Sequence, residues 1–338
     1  MVSGTNFDAP LVGAVAIGRN EGQRLRRCLE SIITSASPVV YVDSGSTDGS
    51  VALASSLGCE VVILDPNRPF TAAAARNAGL KRLLEINPAC EFVQFVDGDC
   101  EVVDGWIDSA ARFLWRNDQY AVACGRRRER HPQASLYNRL CDLEWNTPVG
   151  EADACGGDAM MRVRSICAVG GFDGSLIAGE EPELCSRMRK AGWCIMRLDA
   201  EMTLHDAAMV HFSQWWRRTN RAGWAFVNGT VMGAQANHRR WLREAVRPWL
   251  WCVAVPASSA VLVSQIGLWG LTLLSVYPLI VMRAASTASR CGGDTRTALA
   301  FGLLSIIGKF AELQGQLTWM RYRLLQRPQR LIEYKRPG

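Results

Sequence analysis

The sequence contains no G-x-x-x-x-G-K-[ST] loop, and no G-x-G-x-x-G follows its first apolar run. The P-loop and dinucleotide-binding readings therefore lose the residues they need to cradle phosphates. The twelve cysteines include no C-x-x-C pair, which argues against zinc; scattered through a chain this large, they read as small buried hydrophobes in a reducing compartment. Met1 to Pro10 lacks a signal peptide's apolar core, so the N-terminal half is expected to stay in the cytoplasm. The longest absence is of charge. No Asp, Glu, Lys or Arg occurs from Trp249 to Met282, a stretch well above the roughly 18 apolar residues that mark a membrane candidate.

Charge elsewhere is unevenly divided. From Phe212 onward 17 Lys/Arg face 4 Asp/Glu, so residues 1–211 carry a net negative charge beneath the overall +6. A basic tail around apolar segments points to anionic lipid headgroups, and an acidic N-terminal half without a phosphate-tracking face points away from nucleic acid.

The acidic half alternates strand and helix patterns. Val12–Ile17 reads as a strand, followed by an amphipathic helix with Leu25, Cys28, Leu29, Ile32 and Ile33 on its apolar face. Val39–Val42, Glu60–Leu64 and Phe92–Val96 supply three more strands, with helices through Leu57 and from Thr71 to Ile86 between them. That alternation predicts an α/β fold: a mostly parallel central sheet with right-handed crossovers, flanked by helices. Polar residues then gather beyond the carboxyl ends of the strands, where open α/β sheets bind ligands. These are Asn20 and Glu21 after the first strand, Asp43 and Ser44 after the second, and Asp97 and Asp99 after the fourth. Two carboxylates one glycine apart at the end of a buried strand suit Mg²⁺ or Mn²⁺, which take hard oxygen ligands and share them with substrate phosphates. Asp48 is equally readable as a helix cap.

Six motifs in this order resemble the family-2 glycosyltransferases, inverting enzymes with the Rossmann-like A-type nucleotide-sugar fold. They are Arg19-Asn20-Glu21, Val42 through Asp48, Ala75-Arg76-Asn77-Ala78-Gly79, Asp97-Gly98-Asp99, Gly170-Gly171-Phe172-Asp173 and Gly179-Glu180-Glu181-Pro182-Glu183-Leu184. The resemblance implies that Asp43 reads the base of a nucleoside-diphosphate sugar, that Asp97 and Asp99 hold nucleotide and metal, and that Arg76 lies near the diphosphate. It further implies that Glu181, standing where the family has an aspartate, deprotonates the acceptor hydroxyl, with Glu180 as the alternative. An ordinary glutamate is already ionised at neutral pH, so this role calls for no unusual pKa, and helix neighbours are expected to face apart. His205 would return to the metal, as a late histidine does in related enzymes; a hydrogen-bonded structural histidine is the plainer reading. Asp158, in Gly156-Gly157-Asp158, resembles an acceptor-side residue. Two departures stand out: Asp43-Ser44 replaces consecutive aspartates, and Gln214-Trp215-Trp216-Arg217-Arg218 has arginine where processive synthases carry the tryptophan of Gln-x-x-Arg-Trp. The second implies addition of a single sugar, with Trp215 and Trp216 on the acceptor side.

The chain is therefore expected to divide into a catalytic domain over 1–211, a basic Trp/Arg-rich connector over 212–248 and a membrane-associated helical region over 249–338. Trp215, Trp216, Trp224, Trp241, Trp249 and Trp251 alternate with arginines from Arg217 to Arg247, a combination suited to a bilayer interface. Residues 249–282 would fold back as a tight or re-entrant hairpin, with Pro256, Gly267 to Gly270 or Pro278 as breaks, and Thr297 to Met320 would lie in the interface. The expected activity is transfer of one sugar to a lipid-linked or polysaccharide hydroxyl at the cytoplasmic face of the inner membrane. Expected partners are the donor, the acceptor, anionic lipids, and a biosynthetic complex or second copy of the chain. Two other classes fit less well: a nucleotidyltransferase would need a glycine-rich loop where Arg19-Asn20-Glu21-Gly22 stands, and a non-catalytic scaffold would not depend on Glu181.

Overall fold

The computed structural model describes residues 10–67, 69–231 and 238–325. The leader reading of residues 1–9, the side chain of Arg240 and the end of the basic tail beyond 325 lie outside the described residues. The first part of the chain runs β1 (Val12–Gly18), α1 (Gln23–Ile32), β2 (Val39–Asp43), α2 (Ser50–Ser56), β3 (Glu60–Ile63), α3 (Ala72–Ile86) and β4 (Phe92–Asp97). It continues through β5 (Cys100–Val102), α4 (Trp106–Arg116), β6 (Tyr120–Glu129), α5 (Leu136–Glu144), β7 (Gly150–Glu151), β8 (Ala159–Arg162), α6 (Val163–Ala168), α7 (Glu180–Lys190) and β9 (Cys194–His205).

One sheet holds all these strands in the order β3-β2-β1-β4-β8-β6-β9-β5, with β7 on β9. β3, β2, β1 and β4 are parallel, as the alternating pattern predicts, and their register sets Gly18 beside Asp43 and Ile17 beside Asp97. Beyond β4 the sheet turns antiparallel, β4 pairing β8 and β5 pairing β9. Buried apolar residues of β1, β2 and β4 form the core with Leu25, Cys28, Leu29 and Ile32 of α1. Ile33, expected on that face, is the residue after the helix and is exposed.

The chain divides into two units. The first comprises residues up to Arg128 with Thr147–Ser175 and Glu180–Asp206; the second takes Glu129–Asn146, Leu176–Gly179 and everything from Ala207. The second unit contains α5 and five longer helices, α8 (Phe212–Val231), α9 (His238–Trp249), α10 (Val255–Ile266), α11 (Val276–Arg290) and α12 (Thr295–Leu324). A π turn, Leu250–Ala254, joins α9 to α10, and a 3₁₀ segment, Gly267–Ser275, joins α10 to α11. Trp241–Arg290 and Thr295–Leu324 are each long and apolar enough to cross a membrane.

Several tryptophans expected at an interface are buried instead. Trp224 and Trp319 pack with Ile177, Val227 and Ala245, and Trp319 donates its indole N–H to Asn228 at 3.0 Å. Trp241 is also buried. Large rings fill the gaps that small residues on crossing helices leave, and that need outweighs their affinity for headgroups. α8 and α12 approach through glycines: a Cβ on Gly315 would stand 2.0 Å from the Asn220 carbonyl oxygen, and one on Gly223 would stand 2.0 Å from that of Glu312. Gly315→Ala is expected to lower the melting temperature in detergent. Alanine's better helix propensity, about 1 kcal/mol, cannot offset the separation of two backbones, where overpacking costs about 1–3 kcal/mol. A variant that melts at or above wild type would show that the helices part freely.

Candidate active site

The site is built at the carboxyl edge of the parallel strands. β4 ends at Asp97, Gly98 donates its N–H to the Ile17 carbonyl at 2.8 Å, and β5 begins immediately after Asp99. β5 pairs antiparallel with β9 so that Cys100 lies opposite His205. This register delivers the histidine to the acid: His205 Nε2 stands 3.2 Å from Asp99 Oδ2, both side chains buried. The strand expected to stop at Leu198 continues to His205, and that continuation carries the imidazole in.

Asp99, Cys100 and His205 offer ligand atoms within 4.8 Å of one another, as do Asp97, Cys100 and Asp158. Burial first, then the charges of Asp158 and Asp99, pushes the Cys100 thiol well above its usual range, against the pull of Arg127. Without a metal to take its proton, burial thus disfavours the Cys100 thiolate. What remains, carboxylate oxygen with one imidazole, fits Mg²⁺ or Mn²⁺ better than a soft metal.

Arg76 of α3, only 2% exposed, is the electrostatic centre of the arrangement. Its Nη2 lies 2.8 Å from Asp97 Oδ1, and its Nη1 lies 2.7 Å from Glu180 Oε1 and 3.0 Å from Glu181 Oε1. The Phe172 ring, 5.7 Å away, covers the guanidinium. Asn77, next along α3, donates its Nδ2 to the Phe172 carbonyl at 2.8 Å and accepts that residue's N–H at 2.9 Å, so the Ala75–Gly79 and Gly170–Asp173 motifs are one packed unit.

Two expectations are corrected here. Glu180 and Glu181 do not face apart: at the start of α7 both side chains turn back to one cation, although Glu180 is buried and Glu181 partly open. Nor does Glu181 keep an ordinary pKa. Burial, followed by the neighbouring Glu180 charge, pushes it up to about 7 despite the opposing pull of Arg76. Asp97 moves the other way: burial would raise its carboxyl, but Arg76 and Arg127 outweigh that and hold it below the usual range.

Asp158, expected to face an acceptor, is completely buried. Its Oδ1 accepts the Asp97 backbone N–H at 2.9 Å, and its Oδ2 accepts Arg127 Nε at 2.9 Å and the Thr203 hydroxyl at 2.8 Å. A buried carboxylate committed to these donors positions the end of β4. Arg127 was absent from the sequence reading. Arg126-Arg127-Arg128 looks like a solvated basic run, yet on β6 the alternation of sides sends Arg128 out to Glu201 and brings Arg127 to 2.7 Å from Asp158 and 3.3 Å from Asp97. Period 2 was the signal that could have found it. Gly157 completes the corner, because any Cβ there would lie 2.6 Å from Arg76 Nη2 and 2.7 Å from Asp97 Oδ2.

Asp43, Ser44, Asn20 and Glu21 line the same sheet edge. Asp43 Oδ2 accepts the N–H groups of Gly45 and Ser46 at 2.9 and 2.8 Å, and Tyr41 donates its hydroxyl to Oδ1. Ser44 is held by its N–H to the Gly18 carbonyl, and Asn20, at φ 56°, accepts the Thr47 N–H at 2.7 Å. Glu21 pairs with Arg24 at 2.9 Å. Asp48 accepts the N–H groups of Gly22 and Ser50, which fastens the two loops together. Trp215 and Trp216, expected on the acceptor side, belong to the second unit. There Trp215 is buried against Tyr137 and Phe212, Trp216 donates to Gln314 at 2.7 Å, and Gln214 accepts the N–H groups of Val210 and His211 at the start of α8.

Comparison with known proteins bears on the fold of this region. The family profile described as "Glycosyl transferase family 2" matches residues 15–165. The chain is 26% identical over 270 residues to the succinoglycan biosynthesis protein ExoA of Rhizobium meliloti, covering 75% of this chain and 81% of that protein. It is 27% identical over 243 residues to a pre-mycofactocin glycosyltransferase of Mycobacterium tuberculosis, covering 65% of this chain and only 46% of that relative. Among solved structures, a mannosyltransferase from Pyrobaculum calidifontis, in complex with GDP-Man and Mn²⁺, superposes with a TM-score of 0.59 at 17% identity, over 88% of this chain and 87% of that one. The profile match over residues 15–165 and the shared topology lead to one conclusion: the chain is similar to the family 2 glycosyl transferases over that stretch and has the A-type glycosyltransferase fold.

Proposed function

We propose that this chain is a glycosyltransferase that moves a single sugar, with inversion, from a nucleoside-diphosphate donor to a hydroxyl of a lipid-linked or polysaccharide acceptor at the cytoplasmic face of the inner membrane. The observation that carries this reading is the position of Glu181, on the same guanidinium as the carboxylate that ends β4. A base there can take the acceptor proton while the acceptor oxygen attacks the anomeric carbon opposite the departing diphosphate, through an oxocarbenium-like transition state. Arg76 would lend its charge to that leaving group, which a low-dielectric site makes worth far more than in water. Asp97, Asp99 and His205 would hold Mg²⁺ or Mn²⁺, which when bound neutralises diphosphate charge. Asp43, Ser44, Asn20 and Glu21 would line the nucleoside.

The likeness to a succinoglycan biosynthesis protein supports a polysaccharide or lipid-linked glycan as acceptor, and the apolar C-terminal helices support anchorage among anionic lipids, where such an acceptor resides. Assembly with a biosynthetic complex or a second copy fits that setting. The test is donor-induced thermal stabilisation. A panel of nucleoside-diphosphate sugars with Mn²⁺ is expected to contain one that raises the melting temperature, and Asp99→Asn is expected to abolish the Mn²⁺-dependent part. Equal stabilisation of wild type and D99N would remove the metal from this corner.

A further inference from the structure

The second unit contains a reversal whose length approaches that of a bilayer core. α10 ends at Gly267, whose φ of +67° is open to L side chains only with strain, and the 3₁₀ segment runs back along the helix it has just left. Gly270 packs so tightly on it that a Cβ would meet the Val263 nitrogen at 2.3 Å, and the Ser259 hydroxyl donates to the Gly270 carbonyl at 2.9 Å. The two arms meet again at their base. The Tyr277 hydroxyl donates to the Trp251 carbonyl, and the two rings lie 6.3 Å apart.

From Trp251 to Gly267 the helical rise is about 24 Å at 1.5 Å per residue, a few ångströms short of a typical hydrocarbon core of about 30 Å, a mismatch membranes absorb at modest cost. The base carries an aromatic pair. Beside Ile266 and Leu268 the tip exposes Ser264, Gln265 and Trp269, residues that suit a headgroup region, where water can also reach the last carbonyls of the helix. Exposed arginines bracket the base on both sides, Arg243 and Arg247 before it and Arg283 and Arg290 after it. Within α9, Trp241 and Ala245 are buried while Leu242 and Val246 are exposed beside those arginines, a pattern that fits a helix lying in the plane of an anionic surface.

Resting on the membrane attachment proposed above, we infer that residues 250–282 form a closed hairpin that crosses the hydrocarbon layer and turns in the far interface, while α9 lies in the near interface among anionic lipids. Both ends of the hairpin then share one side, and no loop of any length emerges on the other.

The test is labelling of the full chain in intact spheroplasts with a membrane-impermeant maleimide. Leu268→Cys is expected to label from outside at least tenfold above wild type, whereas Ser286→Cys, beyond the return arm, labels only after lysis. Labelling of S286C from outside would mean a single crossing, and protection of L268C until lysis would mean a tip that never reaches the far face; either overturns the inference. Flotation with vesicles distinguishes its failure from that of the reading beneath it. Wild type is expected to float with vesicles of phosphatidylglycerol and phosphatidylcholine, and Leu242→Glu/Val246→Glu is expected to float several-fold less at limiting lipid. A wild-type chain that floats with an unlabelled tip sinks the hairpin alone. One that stays at the bottom, alone or as a dimer, sinks the membrane attachment as well. Equal flotation of the double variant would remove α9 from the contact.

Discussion

Glu181→Gln is expected to reduce kcat by about 10²–10⁴, the range a positioned general base supplies, while leaving the KM for the donor near its wild-type value. Glutamine keeps the shape and one acceptor oxygen, so the helix start and the packing against Arg76 survive, and only the capacity to receive a proton is lost. The pKa gives the prediction a second readout. Burial and the Glu180 charge place the Glu181 carboxyl at about 7, so the fraction able to act as base grows as pH rises through that value. The kcat/KM of wild type should therefore show an acidic limb that bends near pH 7, and the residual activity of E181Q should lack it.

Stability should respond in the opposite sense. A carboxyl whose pKa is raised on folding favours the folded state while protonated. That contribution is fully present below its unfolded value of about 4.5 and is lost as pH climbs through about 7. At pH 8, E181Q is thus expected to melt no lower than wild type. A variant that is inactive because it has unfolded would fail this comparison, and one that retains wild-type turnover would move the base elsewhere, with Glu180 as the next carboxylate to change.

The parts of this site that could be read from the sequence are those set by local pattern. The apolar runs of β1, β2 and β4 and the helices between them dictate a parallel sheet, and a parallel sheet brings Asn20, Asp43 and Asp97 to one edge. What escaped was non-local. Asp158 can be recognised as a positioning group only once β8 lies beside β4 and β6, since nothing in Gly156-Gly157-Asp158 distinguishes a buried carboxylate from a turn. The pKa of Glu181 is set first by burial, which only the packed fold supplies, then by Glu180 beside it against the pull of Arg76, which is far away in sequence. The tail shows the same limit in another form. Pro256 and Pro278 also look like helix breaks, and each falls just inside a helix, α10 and α11 respectively, directly after the π turn and the 3₁₀ segment, without reversing the chain. The reversal falls at Gly267, the expected break where the required positive φ is open to glycine.

Arg76→Met is expected to be the most damaging single change in the first unit. The guanidinium is buried and touches Asp97, Glu180 and Glu181, so its removal strands Glu180 and Glu181 without the cation they share and leaves Asp97 to Arg127. Truncating one partner of a buried ion pair costs about 3–5 kcal/mol, largely because the remaining charge is stranded. Loss of a preorganised positive group at the leaving diphosphate should also lower kcat by at least about a hundredfold. Lysine would not restore the arrangement, because a single ammonium cannot span the separate contacts that Nη1 and Nη2 make. The stability loss has a specific remedy. Glu180 is the more buried of the two glutamates, so adding Glu180→Gln to R76M removes one stranded charge, and the double variant should melt above R76M although each change alone lowers stability. That non-additivity, measured as a double-mutant cycle by thermal melts, separates an electrostatic hub from simple loss of packing. If the two effects add, Arg76 contributes bulk alone, and the shared cation on which the proposed chemistry depends is absent.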